Sequence, residues 1–362
     1  MTGTSSALFL PIFNPFVSLS NHLPDRASGA ELAIIVPAYK AEFLREALES
    51  IAAQTSRNFN LYVFDDGGPA AVEAIVNDFR GKLPLRYHRF RENLGGTSLV
   101  KHWERCLRLT DEAWVWIFSD DDMMEEGCVA AFHREFERTG GNHDAYRFNT
   151  LMVNNRGGRI KECARHPDEE SGSHFLLERW QEKRESFMQE LIFSRNAWKA
   201  ARGIPDFPLA WHSDDAFAAL LGLRHPVKNI PGPQLNWRYS RLNITCNESK
   251  KMMDEKIRAT AQFIRWTLDY FEDHAKPETA DAIEWSERWF FKYVARFWNF
   301  LGWQSCREIE ELASGVWGYP RGRALWWGMK LNLNLGAEKI RRRTRGVLNS
   351  HAKNSLPHQP KP

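Results

Sequence analysis

Short apolar runs alternate with helical patterns through the first third of the chain. Apolar residues at helical spacing separate the runs, beginning with Leu44, Ala47, Leu48 and Ile51. The runs lack polar alternation, which is typical of parallel strands covered on both faces. Repeated strand and helix predict right-handed crossovers and a doubly wound α/β sheet. The predicted strands are Glu31–Pro37, Leu61–Phe64, Leu85–Phe90 and Trp114–Phe118.

Beyond residue 120 the pattern is less regular. Tyr146–Met152 alternates apolar and polar residues, which predicts a half-buried strand that is antiparallel or at a sheet edge. Phe187–Ser194 predicts another strand, and His166–Arg184 a charged loop that includes a helix. Two long amphipathic helices follow, and their apolar faces carry Met253, Ile257, Ala261, Ile264 and Leu268 in the first and Trp285, Trp289, Tyr293, Phe297 and Phe300 in the second.

These patterns divide the chain into four segments. We expect a flexible arm over residues 1–30, an α/β domain over 31–245, a helical extension over 246–315 and a basic aromatic tail over 316–362. No run approaches the roughly 18 apolar residues that a membrane-spanning helix needs. Prolines interrupt the apolar opening, which also lacks the basic start of a signal peptide.

Composition narrows the function classes. A hydrophobic fraction of 43% with 13% aromatic residues fits a globular protein. The five cysteines form no CxxC pair, which disfavours a disulfide framework and a thiolate zinc site and indicates a reducing, cytoplasmic compartment. From Gly318 to Pro362, ten Lys or Arg face one acid, Glu338, whereas the whole chain carries a net charge of +3. A tail of this kind predicts an anionic partner such as a membrane surface.

Three consecutive carboxylates, Asp120, Asp121 and Asp122, follow the predicted strand Trp114–Phe118. Open α/β sheets bind ligands at this edge. Adjacent carboxylates repel one another, so a hard cation such as Mg²⁺ or Mn²⁺ that takes oxygen ligands would stabilise the cluster. The alternative is a solvated acidic turn that caps the helix beginning near Glu126.

Four short blocks stand in order along the chain, each at or next to the end of a predicted strand or the start of a predicted helix. They are Val36-Pro37-Ala38-Tyr39, Phe64-Asp65-Asp66-Gly67, Ser119-Asp120-Asp121-Asp122 and His212-Ser213-Asp214-Asp215. By these blocks the chain resembles the family-2 glycosyltransferases with the GT-A fold from about Leu32 to Thr245. It departs from their common pattern at Lys40, where Asn is usual, and at Gly68, where Ser is usual. The QxxRW motif of processive synthases is missing after Asp215, which favours transfer of single sugars.

For the donor, the resemblance implies that Pro37 and Tyr39 contact the nucleoside and that Asp66, supported by Asp65, accepts a hydrogen bond from its base. The alternative is a purely structural role, in which Asp65 and Asp66 form a turn before Gly67 and Gly68. The resemblance also implies that the acidic triplet binds the metal and the diphosphate-ribose, Asp120 included. Which of Asp120, Asp121 and Asp122 ligates the metal stays open.

For the chemistry, the resemblance places the general base at Asp214 or Asp215, and we expect Asp215 to be the base with Asp214 as its support. Helix capping by Ser213 or Asp214 is the alternative. Arg238 lies in a segment that folds over the donor diphosphate in such enzymes, and guanidinium forks suit phosphate oxygens. A surface position is the alternative for Arg238.

The sequence therefore predicts a metal-dependent, inverting glycosyltransferase that moves one sugar from a nucleotide-sugar to an acceptor hydroxyl. We expect a saccharide or lipid-linked saccharide acceptor in cell-surface polysaccharide synthesis, with the tail holding the enzyme on the cytoplasmic face of an anionic membrane. One rival is a nucleotidyltransferase, but no lysine- and arginine-bearing glycine-rich loop follows the first strand. Another is a non-catalytic nucleic-acid-binding protein, which would need no acidic cluster, and we expect no nucleic-acid partner.

Overall fold

The computed structural model describes residues 31–240, 242–298, 301–320, 322–326 and 328–330. The predicted N-terminal arm lies outside the described residues. So does the part of the predicted tail beyond residue 330, with the cluster Arg341, Arg342, Arg343 and Arg345.

Strands and helices alternate through the first part of the described chain, as predicted. Continuous apolar runs form the strands, and the residues of β1 from Leu32 to Val36 are all buried. Strands β3, β2, β1 and β4 lie side by side in that order and pair in parallel. The elements are β1 Leu32–Ala38, α1 Leu44–Ala52, β2 Asn60–Asp65, α2 Ala70–Asn77, β3 Leu85–Arg89, α3 Leu99–Leu107 and β4 Trp114–Ile117.

The following strands make the sheet mixed. Beyond β4 the sheet continues with Leu191–Ser194 (β10), Ala145–Arg147 (β6), Val227–Asn229 (β11) and Glu169–Glu170 (β9), in that order. Strand β10 runs antiparallel to both β4 and β6. The mixed α/β architecture confirms the predicted fold class. The elements are β5 Met123–Met124, α4 Cys128–Arg138, β6 Ala145–Arg147, β7 Thr150–Asn154, β8 Arg159–Glu162, β9 Glu169–Glu170, α5 Gly172–Trp180, β10 Leu191–Ser194, α6 Arg195–Ala200, α7 Ser213–Leu221, β11 Val227–Asn229 and β12 Leu235–Tyr239.

The single strand predicted over Tyr146–Met152 is wrong, because two strands share this stretch. Strand β6 lies inside the large sheet between β10 and β11, and β7 belongs to a second sheet with the order β5-β12-β7-β8. Between them, Phe148 is buried and stacks on Trp116 with ring centroids 5.2 Å apart. Buried residues therefore continue from β6 into β7. The alternation of apolar and polar residues cannot show that β6 and β7 pair with strands of different sheets.

The predicted C-terminal helices are present as α8 Lys250–His274 and α9 Thr279–Arg296, followed by α10 Trp303–Val316. Helix α8 buries Ala259, Phe263 and Phe271 in the same apolar core as β4 and β10. Its opposite face packs with α9 and α10 in a separate core. The extension therefore shares its core with the sheet.

The first residues after α10 also pack on these helices. The ring centroids of Trp317 and Tyr319 lie 5.6 Å and 5.7 Å from that of Phe291, and Ala324 is buried. Among the described residues, no helix combines the length and the apolar character needed to cross a membrane.

Candidate active site

The acidic turn follows β4 at the carboxyl edge of the large sheet, beside the loop that follows β1. The Oδ2 atom of Asp120 accepts hydrogen bonds from the backbone N–H groups of Tyr39 and Lys40, at 2.9 and 3.0 Å. The neighbouring Tyr39 side chain is 45% exposed, and Pro37 is half-buried on β1. The fold therefore brings the predicted nucleoside residues next to the predicted metal residues.

The other two carboxylates of the turn are buried. Asp122 Oδ1 accepts the backbone N–H of Arg238 at 2.7 Å, whereas the buried Asp122 Oδ2 has no hydrogen-bond partner among the described residues. Burial raises the pKa of Asp120 and, together with the charge of Asp121, that of Asp122. Burial and the charge of Asp120 raise the pKa of Asp121 to about 7. Burial and mutual repulsion therefore disfavour the negatively charged form of these carboxylates, and a nearby cation would stabilise that form.

The chemistry of the acidic turn fits a divalent metal ion. Asp122 Oδ2 is without a hydrogen-bond partner in the described part of the chain, and burial raises the pKa of all three carboxylates. Within the described ranges, no three His, Cys, Asp or Glu side chains are grouped so that they could hold a metal by themselves. Mg²⁺-type sites in nucleotide enzymes use one or two carboxylates and complete their coordination with substrate phosphates and water. The residues fit a metal of that kind.

Arg238 lies beneath the turn rather than at the surface. Its guanidinium is fully buried and donates to the backbone oxygens of Asp121 at 2.8 Å and Asn155 at 2.9 Å, and to Glu46 Oε2 at 2.5 Å. It also lies 4.3 Å from the centroid of the Phe43 ring. Binding of the donor diphosphate by this side chain, as predicted, would require it to leave these partners.

Asp66 has its hydrogen-bonding capacity largely occupied. Its Oδ1 accepts from the backbone of Leu94 at 3.0 Å and pairs with Arg105, and its Oδ2 accepts from Gly95 at 2.7 Å. The side chain is 2% exposed. Its predicted hydrogen bond to the base would need the segment at Leu94 and Gly95 to move.

Asp65 supports the same loop and shows why glycine occupies position 68. Its Oδ1 accepts from Gly68 N–H at 2.7 Å, and its Oδ2 accepts from Tyr87 Oη at 2.7 Å. A Cβ at Gly68 would lie 2.5 Å from the Tyr39 carbonyl oxygen. The loops after β1 and β2 therefore approach too closely for the serine that resembling proteins commonly carry.

The two aspartates that open α7 have different surroundings. Asp215 is buried and receives two hydrogen bonds from Arg179, Nε to Oδ1 at 2.7 Å and Nη2 to Oδ2 at 3.0 Å. Burial works to raise the pKa of Asp215, but the Arg179 charge and His212 hold it well below its usual range. For Asp214, burial and the adjacent Asp215 charge raise the pKa to about 8. The Asp214 carboxylate has no cationic partner among the ion pairs of the described chain, and its side chain is partly exposed.

The segment before α7 holds unusual backbone geometry. Leu209, Ala210 and His212 have positive φ angles of 62°, 53° and 70°, which non-glycine residues seldom adopt. Such strain persists where the surrounding structure over-determines it and is often found at functional sites. His212 is fixed by Asp215 at 2.9 Å and by Thr260 of α8 at 3.2 Å. The aspartate pair is therefore held between the sheet domain and the helical extension.

No pattern in the sequence identifies Arg179 or Glu46 as a partner of a site residue. Arg179 lies in the charged stretch His166–Arg184, and an exposed glutamate on α1 resembles any surface residue. Arg179 lies 36 residues from Asp215 along the chain, and Glu46 lies 192 residues from Arg238. Only the tertiary structure brings each pair together.

Part of the chain matches a known protein family. The family model described as Glycosyl transferase family 2 matches residues 33–189. An uncharacterized glycosyltransferase of Rickettsia typhi, RT0329, is 31% identical over 91 residues, which is 25% of this chain. That match covers 27% of the relative's length.

Structure comparison identifies the fold. The crystal structure of S. aureus TarS 1-349 matches with a TM-score of 0.52 and 13% identity, over 85% of this chain and 92% of that one. The same fragment in complex with UDP-GlcNAc matches with the same values. At this identity the likeness shows the fold alone, and it agrees with the GT-A architecture expected from the sequence.

Proposed function

Since the chain carries a family-2 glycosyltransferase domain, we propose that it transfers a single sugar from a nucleotide-sugar to an acceptor hydroxyl with inversion. The observation that carries this proposal is the buried acidic turn. Its Asp122 Oδ2 has no hydrogen-bond partner within the residues that the structure describes, and its Asp120 accepts a hydrogen bond from the backbone of Tyr39. A nucleoside bound at Tyr39 would direct its diphosphate toward these carboxylates.

The acidic turn is the proposed metal site. Asp121 and Asp122 would hold Mg²⁺ or Mn²⁺, since Asp120 Oδ2 already accepts two backbone hydrogen bonds. When bound, such an ion offsets the charge that develops on the leaving diphosphate. Asp120 is then left to fix the turn against the loop after β1 and to face the ribose and diphosphate.

We assign the general base to Asp214. A base must be able to take a proton near neutral pH, and its efficiency is greatest when its pKa lies close to the working pH. Asp214, whose pKa is raised to about 8, can act as this base in its deprotonated form, which predominates above that pH, whereas Asp215 is held in an ion pair with Arg179. The acceptor hydroxyl would give its proton to Asp214 as its oxygen bonds to the anomeric carbon. The bond from that carbon to the diphosphate breaks in the same step, and the nucleoside diphosphate leaves with its electrons.

The basic tail bears on where the enzyme meets its acceptor. We propose that the basic residues beyond 330 bind an anionic membrane on its cytoplasmic face, where a lipid-linked saccharide would be available. Ten basic residues against one acid from Gly318 onward support this.

The experiment is a thermal-shift screen of nucleotide-sugars with and without Mn²⁺ or Mg²⁺, because a ligand that binds the native state raises its apparent stability. UDP-GlcNAc heads the panel, because it is bound in the TarS structure that shares this fold. The donor that gives a metal-dependent shift is then tested for release of its free nucleoside diphosphate. A nucleotidyltransferase would release pyrophosphate instead, and a binding protein without catalysis would release nothing.

A further inference from the structure

Lys40 lies at the point where the loop after β1 meets the acidic turn. Its backbone N–H donates to Asp120 Oδ2 at 3.0 Å. Its ammonium donates to the backbone carbonyl oxygen of Leu242 at 2.7 Å. The side chain therefore reaches from the acidic turn to the segment that joins β12 to α8.

The charge of Lys40 acts on the carboxylates of the turn. It works to lower the pKa of both Asp120 and Asp121, against the effect of burial. Arg238 also acts on Asp121, but its guanidinium is fully buried among its own acceptors. Lys40 is only partly buried, so a ligand arriving beside Tyr39 can meet its ammonium.

The present partner of the ammonium is a weak one. A backbone carbonyl is a neutral acceptor, whereas a phosphate oxygen is charged and adds the attraction of opposite charges to the hydrogen bond. The segment does not depend on Lys40 alone, since Lys256 donates to the carbonyl oxygens of Thr245 at 3.1 Å and Asn247 at 3.0 Å. Lys40 can leave Leu242 while the segment stays attached to α8.

We propose that the Lys40 ammonium binds the donor's diphosphate, exchanging the Leu242 carbonyl for a phosphate oxygen. The inference rests on the proposed function, because it takes the acidic turn as the diphosphate and metal site. Lys40 would then share the charge of the leaving diphosphate with the metal. This residue differs from the asparagine usual in resembling proteins, so the contact would belong to this chain.

The proposal predicts two opposite effects of removing the charge. Without diphosphate, the Lys40 ammonium repels a cation at the acidic turn, so Lys40→Gln should bind Mn²⁺ about two- to fivefold more tightly at low salt. With Mn²⁺ present, the same variant should bind inorganic pyrophosphate about tenfold more weakly, because a charge-assisted hydrogen bond is lost. A purely structural tether would not move the two affinities in opposite directions.

The experiment measures both affinities by isothermal titration calorimetry on the full chain, with Mn²⁺ alone and then with pyrophosphate at saturating Mn²⁺. Lys40→Arg keeps the charge and should stay within about twofold of wild type in both titrations. Lys199→Gln is the matched control. Strand β10 runs antiparallel to β4, so helix α6, which follows it and carries the exposed Lys199, begins at the opposite edge of the sheet from the acidic turn.

Tighter Mn²⁺ binding together with weaker pyrophosphate binding in Lys40→Gln alone would support the proposal. Unchanged affinities, or a loss of both, would overturn it while the metal and diphosphate site of the wild type stands. If the wild type itself bound neither Mn²⁺ nor pyrophosphate, the proposed function would fail as well, and the two failures are thereby distinguished.

Discussion

Arg179 donates two hydrogen bonds to Asp215, from Nε to Oδ1 at 2.7 Å and from Nη2 to Oδ2 at 3.0 Å. The pair joins the end of α5 to the start of α7, and the Asp215 side chain is almost completely buried. A carboxylate held in this way is a poor proton acceptor, because protonation would break a buried ion pair. This is why we propose the neighbouring Asp214, rather than Asp215, as the general base.

We therefore expect Asp214→Asn and Asp215→Asn to fail in different ways. Asp214→Asn should lower kcat by roughly 10²–10⁴ while metal-dependent nucleotide binding persists. Asp215→Asn should reduce the free energy of unfolding by about 3 kcal/mol, because Arg179 loses its charge partner inside the protein. Steady-state kinetics and urea unfolding of both variants check this. A stable Asp215→Asn enzyme without turnover, beside an active Asp214→Asn enzyme, would return the base to Asp215.

The same variant makes a prediction for pH. The folded-state pKa of Asp214 is raised to about 8 from 3.8, so between these values the folded protein holds a proton that the unfolded chain has released. Wild-type stability must then fall as pH rises through this window. Asp214→Asn lacks this group, so its melting temperature should exceed that of wild type by a margin that grows from pH 5 to pH 8. A margin that is constant across this range would contradict the raised pKa.

Neutralising the acidic turn should separate activity from stability. Asp121→Asn and Asp122→Asn should each reduce transfer by at least about 100-fold, because the cation that offsets the leaving charge loses a ligand. Neither should lower the melting temperature of the metal-free protein, since each removes a charge from a repelling, buried cluster. Asparagine preserves an oxygen that can accept the Arg238 N–H. Asp111→Asn, on an exposed turn at the opposite end of β4, is the control. Full metal-dependent activity in both variants would dismiss the site.

Arg238 should act by positioning the turn. Its contacts join the acidic turn to α1 and to the turn at Asn155, so Arg238→Lys should weaken Mn²⁺ binding by about tenfold, as loss of partners behind metal ligands commonly does. Glu46→Gln, whose side chain is partly exposed, should produce a smaller loss without unfolding the protein. Mn²⁺ titrations and a comparison of donor KM with kcat check this. Normal Mn²⁺ affinity combined with lost diphosphate affinity in Arg238→Lys would instead make Arg238 a direct ligand of the donor.

The tail should confer membrane binding independently of the chemistry. Removing residues 331–362 leaves Trp317, Tyr319 and Ala324 packed on the helices and should abolish co-sedimentation with anionic liposomes at low salt. Lys or Arg near an anionic surface contributes about 1 kcal/mol each, so replacing Arg341, Arg342 and Arg343 by Gln should weaken binding strongly. Donor hydrolysis in solution should be unchanged. Equal partitioning of the truncated and full chains would remove the tail from the proposal.

The sequence determined the architecture where local pattern and burial agree. Unbroken apolar runs such as Leu32–Val36 must be covered on both faces, which requires a parallel sheet with helices on either side. The carboxyl ends of parallel strands meet at one edge, so the acidic turn had to lie near Tyr39. The two long C-terminal helices followed in the same way from their 3.6-residue apolar period.

Tertiary structure decided what each polar group does. Asp214 and Asp215 are adjacent and chemically alike, yet Arg179, 36 residues away, fixes the charge of one and leaves the other with a raised pKa. Arg238 looks like a surface phosphate ligand in the sequence, but pairing of β12 with β5 and β7 buries it behind the acidic turn. Electrostatic roles depend on distance and burial in three dimensions, and neither is encoded in the local pattern of residues.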